Sequence, residues 1–560
     1  MLPEHNLKGV RKSGKKNDGI RVQMEVSFAL FTGILLLAWS ESFFRFLSSM
    51  MSDGEVKSDT FCIISGCVLF ALFLFLIRNK VAIYKMHMKW MDVAVILYGT
   101  LVFLTAFPFP DNSFDTIAYG LHLQEHSFID VAHTNVQFYD KAYSFNLAER
   151  VFYWVRHMFG YRFAVTANWF CFLVTYCKVK EILLLYKGKL EKEELYETFI
   201  LPVACGAVIL TEYFVFNMQV MKPDLFIIPI VLECLRFIYI NKEMQKSGYV
   251  YLSVLIGLGI SLKPLNVIFF LPVVFWAIVK YVRAAKFSDF VCAACPAIVL
   301  VSVYVIYNYY CVKNPIFPYY NHIFKSEYMS YDYTGRDLRW GPKGFAEWML
   351  WPFIIFLHPQ RYGEVLYNSG RELAGIIICL FALGYAVFRK NKKYIVVNLS
   401  GIIYTLLFNR LFGYCRYGIL IDVMLGVCVV FNLLYLFAEI KDKNRKALKC
   451  MVTVFFTIFT VQIVYAQLII ASSEHVWAYQ KPVSSFAVDR ENAVREWWEN
   501  LKLVFHDKGR VLEENGAEIE KELAEAELWI DTGTGYTNLL NPDADTCFLN
   551  YLSTEELDKK

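Results

Sequence analysis

Apolar runs near the 20 residues that cross a bilayer recur along almost the whole chain. They cover Ser27–Leu47, Phe61–Ile77, Val93–Phe107, Phe163–Tyr186, Phe199–Phe216 and Leu225–Ile240. Two short runs follow between Tyr251 and Val282, joined at Lys263-Pro264. The rest are Phe290–Tyr310, Ala374–Phe388, Tyr394–Phe408, Ile419–Phe437 and Val452–Ile470. This pattern predicts an all-α polytopic membrane bundle of about thirteen transmembrane helices. The polar breaks alternate in kind. Those after spans two, four, six, eight, ten and twelve are short and rich in Lys and Arg, as at Arg389–Lys393 and Lys441–Lys449. The others carry Tyr, Trp, Asn and Asp, and two of them are long, 108–160 and 312–372. Basic loops stay in the cytoplasm. The basic tail 1–24 is therefore cytoplasmic, 25–471 is the membrane domain, and 472–560 lies outside. Reading Tyr251–Val282 as a single span would put the later basic loops outside, so two spans are assigned there.

Beyond Ser472 charged residues become frequent and apolar runs short. Glu491–Lys502 and Glu514–Ala526 read as helices, and Leu528–Ile530 and Cys547–Tyr551 as strands. Together they predict a small extracytoplasmic α/β domain. Its Gly-Thr-Gly after Asp531 lacks phosphate-loop spacing and reads as a turn.

Composition agrees with a membrane protein: 57% of residues are hydrophobic and 19% charged, against about a quarter charged in soluble domains. A net charge of +4 gives no reason to expect a nucleic acid. Most of the 14 cysteines fall inside apolar runs, where they act as small hydrophobes. No disulfide framework or metal site is expected from them, although Cys292 and Cys295 have CxxC spacing inside a span. The first apolar run has no small-residue cleavage site behind it and reads as a span rather than a cleaved signal.

Chemistry-bearing residues collect at the outer ends of spans. Asp111 and Asp115 follow the third span in Pro110-Asp-Asn-Ser-Phe-Asp115-Thr-Ile-Ala-Tyr119. In a helix their spacing puts both on one face. Such a pair can act as a general base or anchor a divalent metal. Asp111 can also be no more than a helix cap. No third ligand stands at ligand spacing, so no metal or other cofactor is required. Lys222, Asp224, Lys263, Arg410 and Arg416 sit at other outer span ends, where lysines run against the positive-inside trend. Lys222 and Lys263 can also merely snorkel to the surface, and Arg416 can pair with Asp422. Cations in this position can hold a phosphate, and a neighbouring carboxylate can deprotonate a hydroxyl.

These motifs resemble those of the GT-C superfamily of polytopic glycosyltransferases, which includes protein mannosyltransferases and the aminoarabinose transferase of lipid A. The superfamily carries an essential acid in its first large outer loop, the place of Asp111 and Asp115. Phe114-Asp115-Thr-Ile-Ala-Tyr119 is similar to its aspartate followed by a tyrosine-bearing helix. Asp224 resembles its second acid, and Gly257–Lys263 its glycine-bearing span ending in lysine. Asn314-Pro-Ile-Phe-Pro318 and Arg416-Tyr-Gly418 resemble outer-loop motifs of bacterial members. The resemblance covers roughly Val93–Ile470. It departs in two extra spans before the acidic loop and in the separation of Tyr119 from His122. It implies sugar transfer, with inversion, from a polyprenyl-phosphate-linked donor to a glycan, lipid or protein acceptor outside the plasma (inner) membrane. Asp111, Asp115 and Asp224 would be catalytic, Asp111 first among them. Lys222, Lys263, Arg416, Tyr119, His122 and Asn314 would bind substrate. The competing reading is an envelope transporter or flippase of lipid-linked saccharides, which needs ionisable groups near the bilayer midplane.

Overall fold

The computed structural model describes residues 22–51, 59–109, 145–185, 196–327, 340–363, 370–439, 490–506, 528–531 and 547–550, with 111, 115, 116, 120–125, 128 and 143 between them. Each of the first twelve expected spans falls on a helix or a helix pair. They are α1 (Val26–Met51), α2 (Asp59–Ile77), α3 (Trp90–Ala106), α5 (Thr166–Leu184), the pair α6 (Leu201–Ile209) and α7 (Glu212–Met218), α8 (Ile227–Ile240), α9 (Lys246–Leu262), α10 (Val267–Tyr281), α11 (Phe287–Val312), α12 (Arg371–Phe388), α13 (Lys392–Leu411) and α14 (Ile419–Glu439). Between α3 and α5 lies α4 (Leu147–Phe159). The thirteenth expected span, Val452–Ile470, lies outside the described residues. Seven described helices are long and apolar enough to cross a membrane, or eight with the bent pair. The chain is a multi-pass helical membrane protein. Along α2, Ile64, Val68, Leu72, Phe75 and Leu76 are exposed, as a lipid-facing helix requires.

Local chemistry sets the helix starts. Asp92 and Asp289, each in the first turn, accept the N–H groups of Lys89 (2.6 Å) and Lys286 (2.8 Å) and so open α3 and α11. The run expected as one span at Phe199–Phe216 bends by 75° between α6 and α7. Thr211 caps the new helix, its hydroxyl accepting the Phe214 N–H at 3.2 Å. The Tyr251–Val282 stretch is two helices joined by a 3-10 turn, Pro264–Asn266. A side chain at Gly257 would come within 2.8 Å of the Ala297 backbone; this small residue lets α9 lie against α11. Two short strands leave no mark in the hydrophobic pattern: β1 (Val22–Glu25) pairs in parallel with β2 (Val81–Tyr84), tying together the two ends of the α1–α2 hairpin.

Helices α5 and α8 carry charges into the bundle and pair them there. Glu233 lies 3.0 Å from Lys178 and 2.7 Å from Arg236, and accepts the Tyr251 hydroxyl at 3.0 Å. Glu181 lies 2.7 Å from Lys178. Lys180 and the Tyr176 hydroxyl share Asp92, at 2.6 and 2.7 Å. Isolated charges inside a bilayer are costly, and pairing within the bundle is how they persist. By sequence alone the Glu149–His157 stretch is amphipathic and bears Trp and Tyr, as a helix lying on the membrane would. The helix is there, yet its charged residues Glu149, Arg150 and Arg156 are buried. Arg150 holds Glu41 of α1 at 2.7 Å and the Gln124 carbonyl at 2.6 Å.

In the C-terminal segment, α15 (Arg490–His506) covers the first expected helix, and β3 (Leu528–Asp531) pairs in parallel with β4 (Cys547–Asn550) at the two expected strands. The second expected helix, Glu514–Ala526, lies outside the described residues.

Candidate active site

Four turns meet at one end of the bundle. The first continues α3. Arg162, just ahead of α5, donates from Nε to the Phe107 carbonyl (2.7 Å) and from Nη2 to the Ala106 carbonyl (3.0 Å). It thereby closes carbonyls that the helix end leaves open. The neighbouring Tyr161 hydroxyl donates to the main-chain oxygen of Asp111 at 2.9 Å. The second turn precedes α8 and holds Lys222-Pro223-Asp224. Asn168 of α5 pins it, donating to the carbonyls of Asn217, Val220 and Lys222 at 2.6–2.9 Å. The third is the end of α9 at Lys263. The fourth is the 3-10 turn Cys415–Gly418 ahead of α14, anchored by the Cys415 N–H donating to the Tyr362 carbonyl at 2.9 Å.

Asp115 joins three of these turns' chemistry. Its Oδ2 lies 2.5 Å from Arg416 Nη1 and 3.5 Å from Lys222 Nζ. Asp224 Oδ1 lies 3.0 Å from Lys263 Nζ. The Lys263 ammonium sits over the Tyr417 ring at 3.9 Å, and Arg416 over the same ring at 5.0 Å. Lys222, Lys263 and Arg416 thus converge on one patch with Asp115 and Asp224. Arg416, for which Asp422 was an open partner in the sequence, pairs with Asp115. Asp111 is fully buried, and its Oδ2 accepts the Thr116 hydroxyl (2.9 Å) and the Met221 N–H (2.6 Å). The Asp115 side chain keeps 20% of its surface exposed and Asp224 10%.

The electrostatics follow from burial and charge. Burial pushes the Lys222 ammonium down to about 8, with Arg416 adding to the fall and Asp115, Asp111 and Asp224 opposing it. Burial pushes the Glu149 carboxyl up to about 8, against the hydrogen bond from Gln124. Glu149 is therefore largely neutral at pH 7 and adds little charge beside Asp111 and Asp224. Next to the cage opens a small, partly open cleft. Asp224, Lys263 and Tyr417 line its polar end, and Ile227, Leu265, Phe269, Phe412 and Leu420 its apolar flank.

Asn314 directs its amide to its own turn, donating to the Tyr319 carbonyl (3.0 Å) and accepting the Ile316 N–H (3.1 Å). Tyr119 lies outside the described residues. His122 falls in the short helix Leu121–Glu125, its side chain outside the described ones. Tyr161, Arg162 and Asn168 were not candidates in the sequence; Thr116 and Tyr417 stood within the resembling motifs without a role of their own. Arg162 carried a signal, as a cation at the very start of a span. Among the described residues no group of three or more His, Cys, Asp or Glu could hold a metal ion.

No family model and no curated protein matches the sequence. Two similar solved structures are crystal structures of ArnT from Cupriavidus metallidurans. The apo state is 13% identical, with 82% of this chain and 85% of that one covered and a TM-score of 0.46. The state bound to undecaprenyl phosphate is 13% identical, with 83% and 90% covered and a TM-score of 0.46. At this identity and TM-score the likeness carries nothing about the chemistry, which is read from the site's own residues.

Proposed function

We propose that the protein is an integral-membrane glycosyltransferase that moves a sugar from a polyprenyl-phosphate carrier to an envelope acceptor outside the plasma membrane. The observation that carries this reading is the junction of a cation–carboxylate cage with an apolar cleft. An anionic headgroup on a hydrocarbon chain fits that junction. In this reading the N-terminus lies in the cytoplasm and 472–560 outside, with about thirteen spans.

In the free site Asp115 occupies the place between Arg416 and Lys222 that suits a phosphate. A phosphate offers more charge and more acceptor atoms than one carboxylate, so the carrier exchanges with Asp115. Losing its two cations makes Asp115 more basic, and it takes the proton of the acceptor hydroxyl. The acceptor oxygen bonds to the anomeric carbon as the bond from that carbon to the phosphate oxygen breaks. The electron pair leaves with the phosphate, held by Arg416 and Lys222. A single displacement of this kind inverts the anomeric carbon. Asp224 holds Lys263 over Tyr417 at the mouth of the cleft. Asp111 fixes the Met221–Lys222 backbone. The three cations supply the charge that a divalent ion would otherwise bring to the leaving group.

The transporter reading finds its ionisable groups in the Lys178–Glu233–Arg236 cluster inside the bundle. That cluster is buried and internally paired, whereas the cage borders an open cleft.

Lys222 gives the test of carrier binding. An ammonium near pKa 8 is charged below that pH and loses its charge above it. The kcat/KM for the donor should therefore fall with a slope near −1 above about pH 8. Lys222→Arg, which stays protonated, should move this alkaline limb upward by more than a unit. An unchanged limb in Lys222→Arg would remove Lys222 from carrier binding.

A further inference from the structure

We propose that α15 is an interfacial helix whose Val494–Trp498 edge lies in the headgroup–acyl boundary of the bilayer, on the side of the membrane that carries the carboxylate cage. Its registry shows three faces. Taking about 100° per residue, Ala493, Trp497 and Val504 share one side, where Ala493 and Val504 are buried. Val494 and Trp498 come next, 47% and 54% exposed. Lys502, Arg495 and Glu499 follow, all exposed. An apolar edge between a protein-facing side and a charged side is the arrangement that an interface-bound helix needs, and Trp is a residue of that zone.

The docking site of α15 fixes which surface this edge meets. The Trp497 indole N–H donates to the Leu104 carbonyl at 2.9 Å. Leu97, Leu101 and Leu104, spaced as one face of α3, are 55%, 61% and 38% exposed, and α3 is one of the apolar helices of the bundle. Trp497 is thus seated at the rim of a lipid-facing surface. Helix α15 also packs against Tyr161–Val165. Met158 and Phe159, just before that segment, are 65% and 61% exposed. Phe159 stands 6.1 Å from Phe163, and Phe163 5.3 Å from Phe107. Val494 and Trp498 extend this apolar rim, with Arg495 and Lys502 placed to meet lipid phosphates. Tyr161 and Arg162 hold Asp111 and the end of α3. Lipid contact through α15 therefore seats the wall behind the cage. This inference does not depend on the sugar-transfer reading.

The test places a photoreactive benzoylphenylalanine at position 498 of the full chain, in vesicles of phosphatidylcholine and phosphatidylglycerol. The same group at Leu101 gives the level for a lipid-facing position, and at Glu499 the level for the charged face. After irradiation, position 498 should carry phospholipid adducts near the Leu101 level and several-fold above Glu499. Lipid adducts no more frequent than at Glu499 would overturn the proposal. So would cross-linking at 498 mainly to a second protein chain.

Discussion

Asp115→Asn should lower kcat for sugar transfer by about 10²–10⁴, the usual cost of losing a general base, while leaving the donor KM unchanged or reduced. The second half of that result separates this role from a structural one. Asp115 is the carboxylate that Arg416 and Lys222 hold in the free site. Removing its charge leaves both cations available to the carrier phosphate, so binding does not suffer. Asn at position 111 can still accept from Thr116 and Met221, which keeps the fold. Its charge loss acts through Lys222 and Arg162 rather than on the acceptor, and the expected fall in kcat is less than tenfold. Steady-state kinetics of the two variants in detergent would decide between them. If Asp111→Asn loses two or more orders while Asp115→Asn turns over normally, the base is Asp111, the residue that the motif resemblance puts first.

Glu233→Ala should destabilise the bundle by about 3–5 kcal/mol, the range for stranding buried charges by removing their partner. Glu233 accepts from Lys178, Arg236 and Tyr251 in a buried setting. Its loss leaves an ammonium and a guanidinium short of counter-charge inside the membrane domain, with Glu181 beside them and Glu25 acting on Lys178. Thermal unfolding of the purified protein in detergent should show a large drop. Replacing Lys178, Glu181, Glu233 and Arg236 together by apolar residues of similar size should recover most of the stability, because such networks gain little over good packing. Stability of Glu233→Ala within about 1 kcal/mol of wild type, on the scale of an exposed pair, would show that the network is not needed.

How legible each feature was depended on its physical origin. Span positions were readable because bilayer thickness imposes a length on apolar runs; even the two-helix reading of Tyr251–Val282 came from the Lys263-Pro264 break. The bend at Leu210-Thr211 was not, since an apolar run on both sides hides it. Convergence of Lys222, Lys263 and Arg416 was foreseeable from their common place at outer span ends. Their partners were not. Asp422, its near neighbour along the chain, was the partner open to Arg416 in the sequence; the structure sets Arg416 against Asp115, far away along the chain. The roles of Asp111 and Asp115 also depend on burial, which spacing in a helix does not reveal. Arg150 and Glu149 looked like the wet face of a surface helix. Only the tertiary fold shows Glu41 and Gln124 waiting for them.

Sugar transfer itself is tested most directly by following the carrier. The purified protein is reconstituted in liposomes with a polyprenyl-phosphate sugar radiolabelled in the sugar, and extracted envelope acceptors are added outside. The account predicts that the label leaves the lipid fraction for an acceptor, that free polyprenyl phosphate appears in equal amount, and that Asp115→Asn abolishes both. Movement of the intact labelled carrier from one leaflet to the other, with no polyprenyl phosphate released, would contradict it.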